Sequence, residues 1–157
     1  KCQNNGIGYQ GTIPWKEPED MKFFRKITTY VHDTLKQNAI IMGRKTFESI
    51  SRRPLKNRVN YVITKEKYDN VESFTSLDEC LGHIDNQRYI ENVFVIGGHG
   101  IYKEAMEHKD CEYLYVNVLE ENHKCDVFFP YINPLHYRII SGLSLTEKIK
   151  NYIYEKN

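Results

Sequence analysis

Asp20 occupies a position that packing alone does not explain. It lies five residues after Trp15, the single tryptophan of the chain, in the segment EPEDMKFFRKI. Pro18 suits a first helical turn, where its fixed φ and missing N–H cost nothing. On a helical wheel of about 100° per residue, Asp20, Phe24, Ile27 and Val31 share one stripe. Met21 and Phe23 flank that stripe, and Lys22, Arg25 and Lys26 point away. Glu19, on the solvent side of the same turn, already serves the positive end of the helix dipole. An inward carboxyl among aromatics, with no cation on its stripe, is a candidate general acid or an anchor for a cationic ligand.

Three other segments carry groups suited to anions. IIMGRKTF sets Gly43, Arg44, Lys45 and Thr46 where an apolar run turns into a helix, a geometry whose backbone N–H groups attract phosphate. YVITK ends a second apolar run in Thr64 and Lys65. FVIGGHGIY carries Ile96, Gly97, Gly98 and Gly100, so the backbone there can approach a pyrophosphate closely. Each has a plain structural reading: a solvated basic tip for Arg44 and Lys45, a tight turn for Gly97-Gly98. GGHG does not match the G-x-G-x-x-G pattern of Rossmann folds. Two basic segment ends and a glycine turn in one chain suit a dinucleotide bearing an extra phosphate, which Arg and Lys neutralise.

Several function classes lose support. Lys and Arg total 22 against 21 for Asp and Glu, a formal net charge of +1, so neither nucleic acid nor an acidic membrane surface is indicated as the main partner. No window approaches the roughly 18 apolar residues of a membrane span, and no signal-like segment opens the chain. The composition reads as soluble and cytoplasmic. The four cysteines, Cys2, Cys80, Cys111 and Cys125, form no C-x-x-C pair, and the six histidines show no H-E-x-x-H spacing. No metal site is expected, nor a G-x-S-x-G or P-loop enzyme.

These residues need elements to hold them. The pattern predicts a helix from about Pro18 to Val31, a buried strand over AIIMG, a short helix around Thr46 to Ile50 and a strand over NRVNYVIT. A weak strand ESF, a helix SLDECLGHI capped by Ser76, and a strand NVFVIGG follow. A helix from Gly100 to His108, a strand CEYLYVNVL and an antiparallel pair HYRIISG and IKNYIYEK complete the chain. The expected class is α/β: a single twisted, mostly parallel sheet with helices on both faces and an antiparallel C-terminal edge. The 157 residues suit one domain.

In order and spacing, GIGYQGTIPWKEPEDMKFF, IIMGRKTFESI, RPLKNRVNYVIT, VFVIGGHGIY and CDVFFP resemble successive signatures of the dihydrofolate reductase family, over nearly the whole chain. The resemblance implies NADPH as cofactor and dihydrofolate as small-molecule substrate. It implies that Asp20 pairs with the amino-pyrimidine edge of the pterin and promotes protonation of the ring nitrogen beside the carbon that accepts hydride. Phe24 would pack on the substrate rings, with Met21, Ile50, Leu55 and Ile96 along an apolar slot and Arg53 near its rim. Arg58 would hold the α-carboxylate of the glutamate tail through a planar two-bond fork.

For the cofactor, the resemblance implies Gly43, Arg44, Lys45 and Thr46 around the adenosine phosphates, and Thr64 and Lys65 near the 2′-phosphate. Gly97, Gly98, His99, Gly100, Ile101 and Tyr102 would follow the pyrophosphate and nicotinamide ribose, with a cis Gly97-Gly98 peptide. Ile7, Gly11, Thr12 and Ile13 match a loop that closes on the nicotinamide. CDVFFP is similar to protist-type reductases fused to thymidylate synthase, which implies a fused or associated synthase domain.

Two departures stand out. Asn117 replaces the family threonine beside the acid, and only Lys1 to Asn4 precede the NGIG segment, so the family's first strand is expected to be missing or truncated. Two other readings share parts of the pattern: an NADP-binding module without turnover, and the related reductase of riboflavin synthesis. The latter's pattern lacks Pro-Trp followed by an inward acid and has no need of Arg58.

Overall fold

A computed structural model describes residues 1–157. In chain order the elements are β1 (Gly6–Gly8), α1 (Pro18–Thr29), β2 (Gln37–Gly43), α2 (Arg44–Ser49), β3 (Val59–Ile63), β4 (Glu72–Phe74), α3 (Leu77–Asp85), β5 (Ile90–Val95), α4 (His99–Glu107), β6 (Tyr113–Leu119), β7 (Val127–Phe128), β8 (Tyr137–Ser144) and β9 (Ile149–Lys156). They form two compact units, Phe24–Ala105 and Lys1–Phe23 together with Met106–Asn157.

The Phe24–Ala105 unit is a parallel sheet in the order β4-β3-β2-β5. Ala39–Met42 of the inner strand β2 form an apolar run because both faces are covered there. Ala39 and Ile41 pack with Leu77, Cys80 and Ile84 of α3 and with Ala105 of α4. The alternate residues Ile40 and Met42 pack with Phe47 of α2 and with Val62. Ile40, Ile41 and Met42 are completely buried, and such side chains contribute about 1.5–3 kcal/mol each by leaving water. Ser76 caps α3 as expected, its hydroxyl accepting from the Glu79 N–H at 3.1 Å.

α1 stops at Thr29, so Val31 lies outside the helix and off the predicted stripe. The cause is local. The hydroxyls of Thr28 and Thr29 fold back onto the carbonyls of Phe24 and Arg25 at 2.8 and 2.7 Å. Buried Asn38 then donates to the carbonyls of Thr28 and Tyr30, taking over the acceptors that another turn would have used.

The other unit is antiparallel. β9 lies between β6 and β8, confirming the predicted C-terminal pair and adding β6 to it. Leu114, Val116, Tyr137 and Met106 form one cluster of this unit, and Cys2, Leu119 and Ile149 another. β1 and β7 make a two-stranded ribbon whose strands, of three and two residues, are too short to give a periodic signal in the sequence.

The α/β architecture, the parallel sheet with helices on both faces and the antiparallel C-terminal strands are all present. Their hydrogen-bonded ladders, however, are distributed over three sheets where the sequence suggested one. Each of the two larger sheets has its own hydrogen-bonding pattern, all-parallel in one and all-antiparallel in the other. The residues before β1 contribute a turn and a single parallel bridge, Cys2 to Leu119. No helix is long and apolar enough to cross a membrane.

Candidate active site

Asp20 sits in the first turn of α1, which Glu17 closes by accepting from the Asp20 and Met21 N–H groups at 3.1 and 3.3 Å. Its carboxyl is half-buried, and Asn117 of β6 donates from Nδ2 to Asp20 Oδ1 at 2.8 Å. The amide in place of the family threonine therefore still supplies a donor to the acid. Behind it, Asn151 of β9 donates to Asn117 Oδ1 at 2.9 Å, the two asparagines being direct cross-strand partners. The backbone nitrogen of Lys1 donates to the Asn117 carbonyl at 2.7 Å. Met21 is largely exposed at 56%.

In the other unit, Arg58 leaves the loop before β3. Asn60 knots that loop, accepting from the Leu55 N–H and donating to the carbonyls of Leu55 and Arg58. Arg58 donates only to neutral acceptors, the Lys56 carbonyl at 2.9 Å and the Thr28 hydroxyl at 3.0 Å. Its guanidinium lies 6.0 Å from the centre of the Phe24 ring. Burial, and then the like charge of Arg25, pull its pKa below the usual arginine value. A guanidinium in that state gains from a carboxylate partner, and its remaining N–H groups can form the two-bond fork. Ile50, Leu55 and Ile96 pack on the cluster of Ile40, Met42, Phe47 and Val62, while Arg53 is exposed.

The residues expected to bind anions lie at the ends of β2, β3 and β5. The Gly43 N–H donates to the Gly97 carbonyl at 2.8 Å, and the Tyr102 N–H to the Gly98 carbonyl at 2.9 Å. Gly97-Gly98 is cis, as the resemblance implies, and Gly97 has φ of 128°, open to glycine and strained for other residues. A Cβ on Gly97 would sit 3.4 Å from the Thr46 hydroxyl and 3.5 Å from Tyr102, whereas Gly100 has open space before it. Side-chain-free backbone ahead of α4, bordered by a hydroxyl, fits the close approach of a pyrophosphate. His99 and Ile101 lie in the first turn of that helix. Arg44 is held by Glu48 at 2.9 Å, a bond that raises its pKa, and Lys45 and Lys65 are exposed cations. The Thr64 hydroxyl accepts from the Glu66 N–H at 3.2 Å. These residues fit a phosphorylated dinucleotide such as NADPH.

Ile7 lies in β1, and Tyr9–Thr12 forms a tight hairpin in which Tyr9 and Thr12 exchange N–H···O bonds of 2.8 and 3.1 Å. Gln10 and Gly11 have φ of 49° and 80°, the two positive values of a type I′ turn. Asp126 tethers the hairpin by accepting from the Gln10 N–H at 3.0 Å. Ile13 beyond it is exposed.

Residues 1–155 match the family described as Dihydrofolate reductase. The chain belongs to the dihydrofolate reductase family. It is 40% identical over 141 residues to the dihydrofolate reductase of Aedes albopictus, covering 83% of this chain and 76% of that protein. It is 42% identical over 142 residues to the bifunctional dihydrofolate reductase-thymidylate synthase of Daucus carota, covering 83% of this chain and 27% of the other. The dihydrofolate reductase of Enterococcus faecalis complexed with NADP(H) and RAB-propyl superposes with a TM-score of 0.84 at 28% identity, over 100% of this chain and 92% of the other.

Four residues that hold these family positions in place escaped the sequence reading: Thr28 under Arg58, Glu48 on Arg44, Asp126 on the hairpin and Asn151 behind Asn117. Asn151 did leave a signal, as an isolated asparagine in a run of strand formers.

Proposed function

We propose that this chain reduces 7,8-dihydrofolate to tetrahydrofolate with NADPH, taking up one proton from solvent. NADPH, when bound, supplies the hydride. Asp20 receives the cationic face of the pterin and promotes protonation of the ring nitrogen beside the carbon that is reduced. Asn117 holds the acid in place. Arg58, braced by Thr28, takes the glutamate carboxylate in a charge-assisted fork. On the cofactor side, Arg44 with Lys45 and Lys65 neutralises phosphate, Thr46 offers a hydroxyl, and the Gly97-Gly98 backbone lets the pyrophosphate come close.

The observation that carries this reading is the carboxyl of Asp20, held on an inward helical stripe by the Asn117 amide at 2.8 Å. NADPH oxidation followed by absorbance, with and without dihydrofolate, tests it. Dihydrofolate-dependent oxidation is expected, and tight NADPH binding without it would instead select a non-catalytic binding module. Association with a thymidylate synthase domain is a separable part of the proposal. It draws on the CDVFFP segment and the names of the plant relatives, and thymidylate synthase activity copurifying with the native protein would support it.

A further inference from the structure

Asn151 has no part in the reductase reading above, yet only 2% of its surface is exposed. It lies directly opposite Asn117, donates to Asn117 Oδ1 at 2.9 Å, and Asn117 donates onward to Asp20 Oδ1 at 2.8 Å. Asparagine is a poor strand former and its amide is costly to bury, so an aliphatic residue would suit a strand better at this place. What the amide adds is direction.

A side-chain amide has a donor end and an acceptor end, and a half-turn exchanges them. With the Asn151 NH₂ on its oxygen, Asn117 must turn its own NH₂ towards Asp20. In the opposite orientation, with Asn151 unturned, two oxygens would meet at Asp20 and two NH₂ groups would meet at Asn151. An NH₂ cannot accept, so Asp20 Oδ1 is held as an acceptor and Oδ2 is left to exchange the proton. A threonine hydroxyl could donate or accept there and would impose no such choice. We propose that Asn151 is a positioning residue: acting through Asn117, it fixes the hydrogen-bond polarity at Asp20 and so decides which carboxyl oxygen serves the substrate. The inference rests on the reading of Asp20 as the acid of the reaction.

Other charged groups around this relay stay in place when Asn151 is changed. On α1, Glu19 pairs with Lys22. On β9 and just before it, Lys150 pairs with Glu120 and Lys148 with Glu121.

The test is the pH profile of dihydrofolate-dependent turnover, at saturating NADPH, for the wild type, Asn151→Leu, Asn117→Thr and the double variant. Leucine has the same branched heavy-atom skeleton as asparagine and cannot donate. Asn117 can then present its oxygen to Asp20, which favours the protonated carboxyl. The alkaline limb should move up by about half a pH unit or more, and KM for dihydrofolate should rise, with NADPH affinity unchanged. In the Asn117→Thr background the hydroxyl donates to Asp20 unaided, so adding Asn151→Leu should leave the limb in place. A limb that shifts equally in both backgrounds, or in neither, overturns the inference.

NADPH binding and thermal melting of each variant report folding. Should Asn151→Leu fail to fold, Asn151→Val carries the test, being a smaller strand former that cannot donate: the limb should again move up, and an unmoved limb overturns the proposal. A wild type inert towards dihydrofolate would overturn the functional reading and this inference with it. An active wild type whose limb ignores position 151 overturns the inference alone.

Discussion

Asp20 and Arg58 are both half-buried ionic groups assigned to one substrate, and their surroundings hold them in opposite ways. Asp20 is met by an amide that is itself oriented by a second amide on the neighbouring strand. Arg58, in the other unit, spends two N–H groups on neutral oxygens, and no carboxylate completes it. Arg44, Lys45 and Lys65 are similarly open, with only Glu48 gripping Arg44. The difference suits the work proposed for each group. A group that steers a proton gains from having its geometry set before the reaction, because reorganisation then adds nothing to the barrier. A group that captures an anion gains from keeping donors unspent until the ligand arrives.

The largest expected effect breaks the contrast at its fixed end. Asp20→Asn preserves shape and removes the ionisable group. Turnover at neutral pH should fall by about 10² to 10⁴, as for loss of a general acid, and recover partly in acid where solvent protonates the substrate. Wild-type turnover and pH dependence in this variant would leave the inward acid a structural residue. At the open end, Arg58→Ala should weaken dihydrofolate binding roughly ten- to a hundred-fold and leave NADPH binding unchanged. Equal losses for both ligands, measured by equilibrium titration, would contradict the assignment of Arg58 to the substrate tail.

How much of this was legible in the sequence follows the same division. Groups on a regular element announce themselves through periodicity: the Asp20 stripe, the apolar run of β2 and the Ser76 cap were all readable. The segments proposed to bind anions stood out because strand ends and glycines are strong punctuation. Side chains that brace them were not, because Thr28–Arg58 and Asp126–Gln10 join residues 30 and 116 positions apart, and no local pattern encodes such a meeting. Asn117–Asn151 is intermediate: each asparagine is conspicuous in its strand, but their pairing depends on the β6–β9 register. The early end of α1 at Thr29 likewise depends on Asn38, which arrives from β2.

A smaller effect tests the open end from the cofactor side. Arg44 is exposed and shares Glu48 with Arg52, so solvent and salt screen it. Arg44→Ala should weaken NADPH binding by about tenfold or less at low ionic strength, narrow the preference for NADPH over NADH, and spare dihydrofolate. The loss should shrink as salt is added, whereas that of Arg58→Ala, whose guanidinium is partly buried, should persist. Equal salt sensitivity in the two variants would remove the distinction drawn between them.

The smallest expected effect asks whether the preset geometry around Asp20 extends to the Tyr9–Thr12 hairpin of the same unit. Gly11 has φ of 80° and nothing within 4 Å of where a Cβ would stand, so Gly11→Ala meets no steric obstacle. Its penalty is confined to the backbone and amounts to about 1 kcal/mol for a left-handed residue. Gln10 already bears one positive φ in this turn, and its N–H is tied to Asp126, so the hairpin cannot relax by sliding. Gly8→Ala is the control, because Gly8 has no positive φ and its added Cβ would meet neighbours at ordinary contact distances of 3.5 Å or more. If the hairpin must hold its shape for turnover, Gly11→Ala should slow turnover by about fivefold, the kinetic equivalent of that strain, with little change in either ligand's affinity. Gly8→Ala should stay near the wild type. A Gly11→Ala enzyme with unchanged turnover would confine the preset geometry of this unit to the Asp20–Asn117–Asn151 relay.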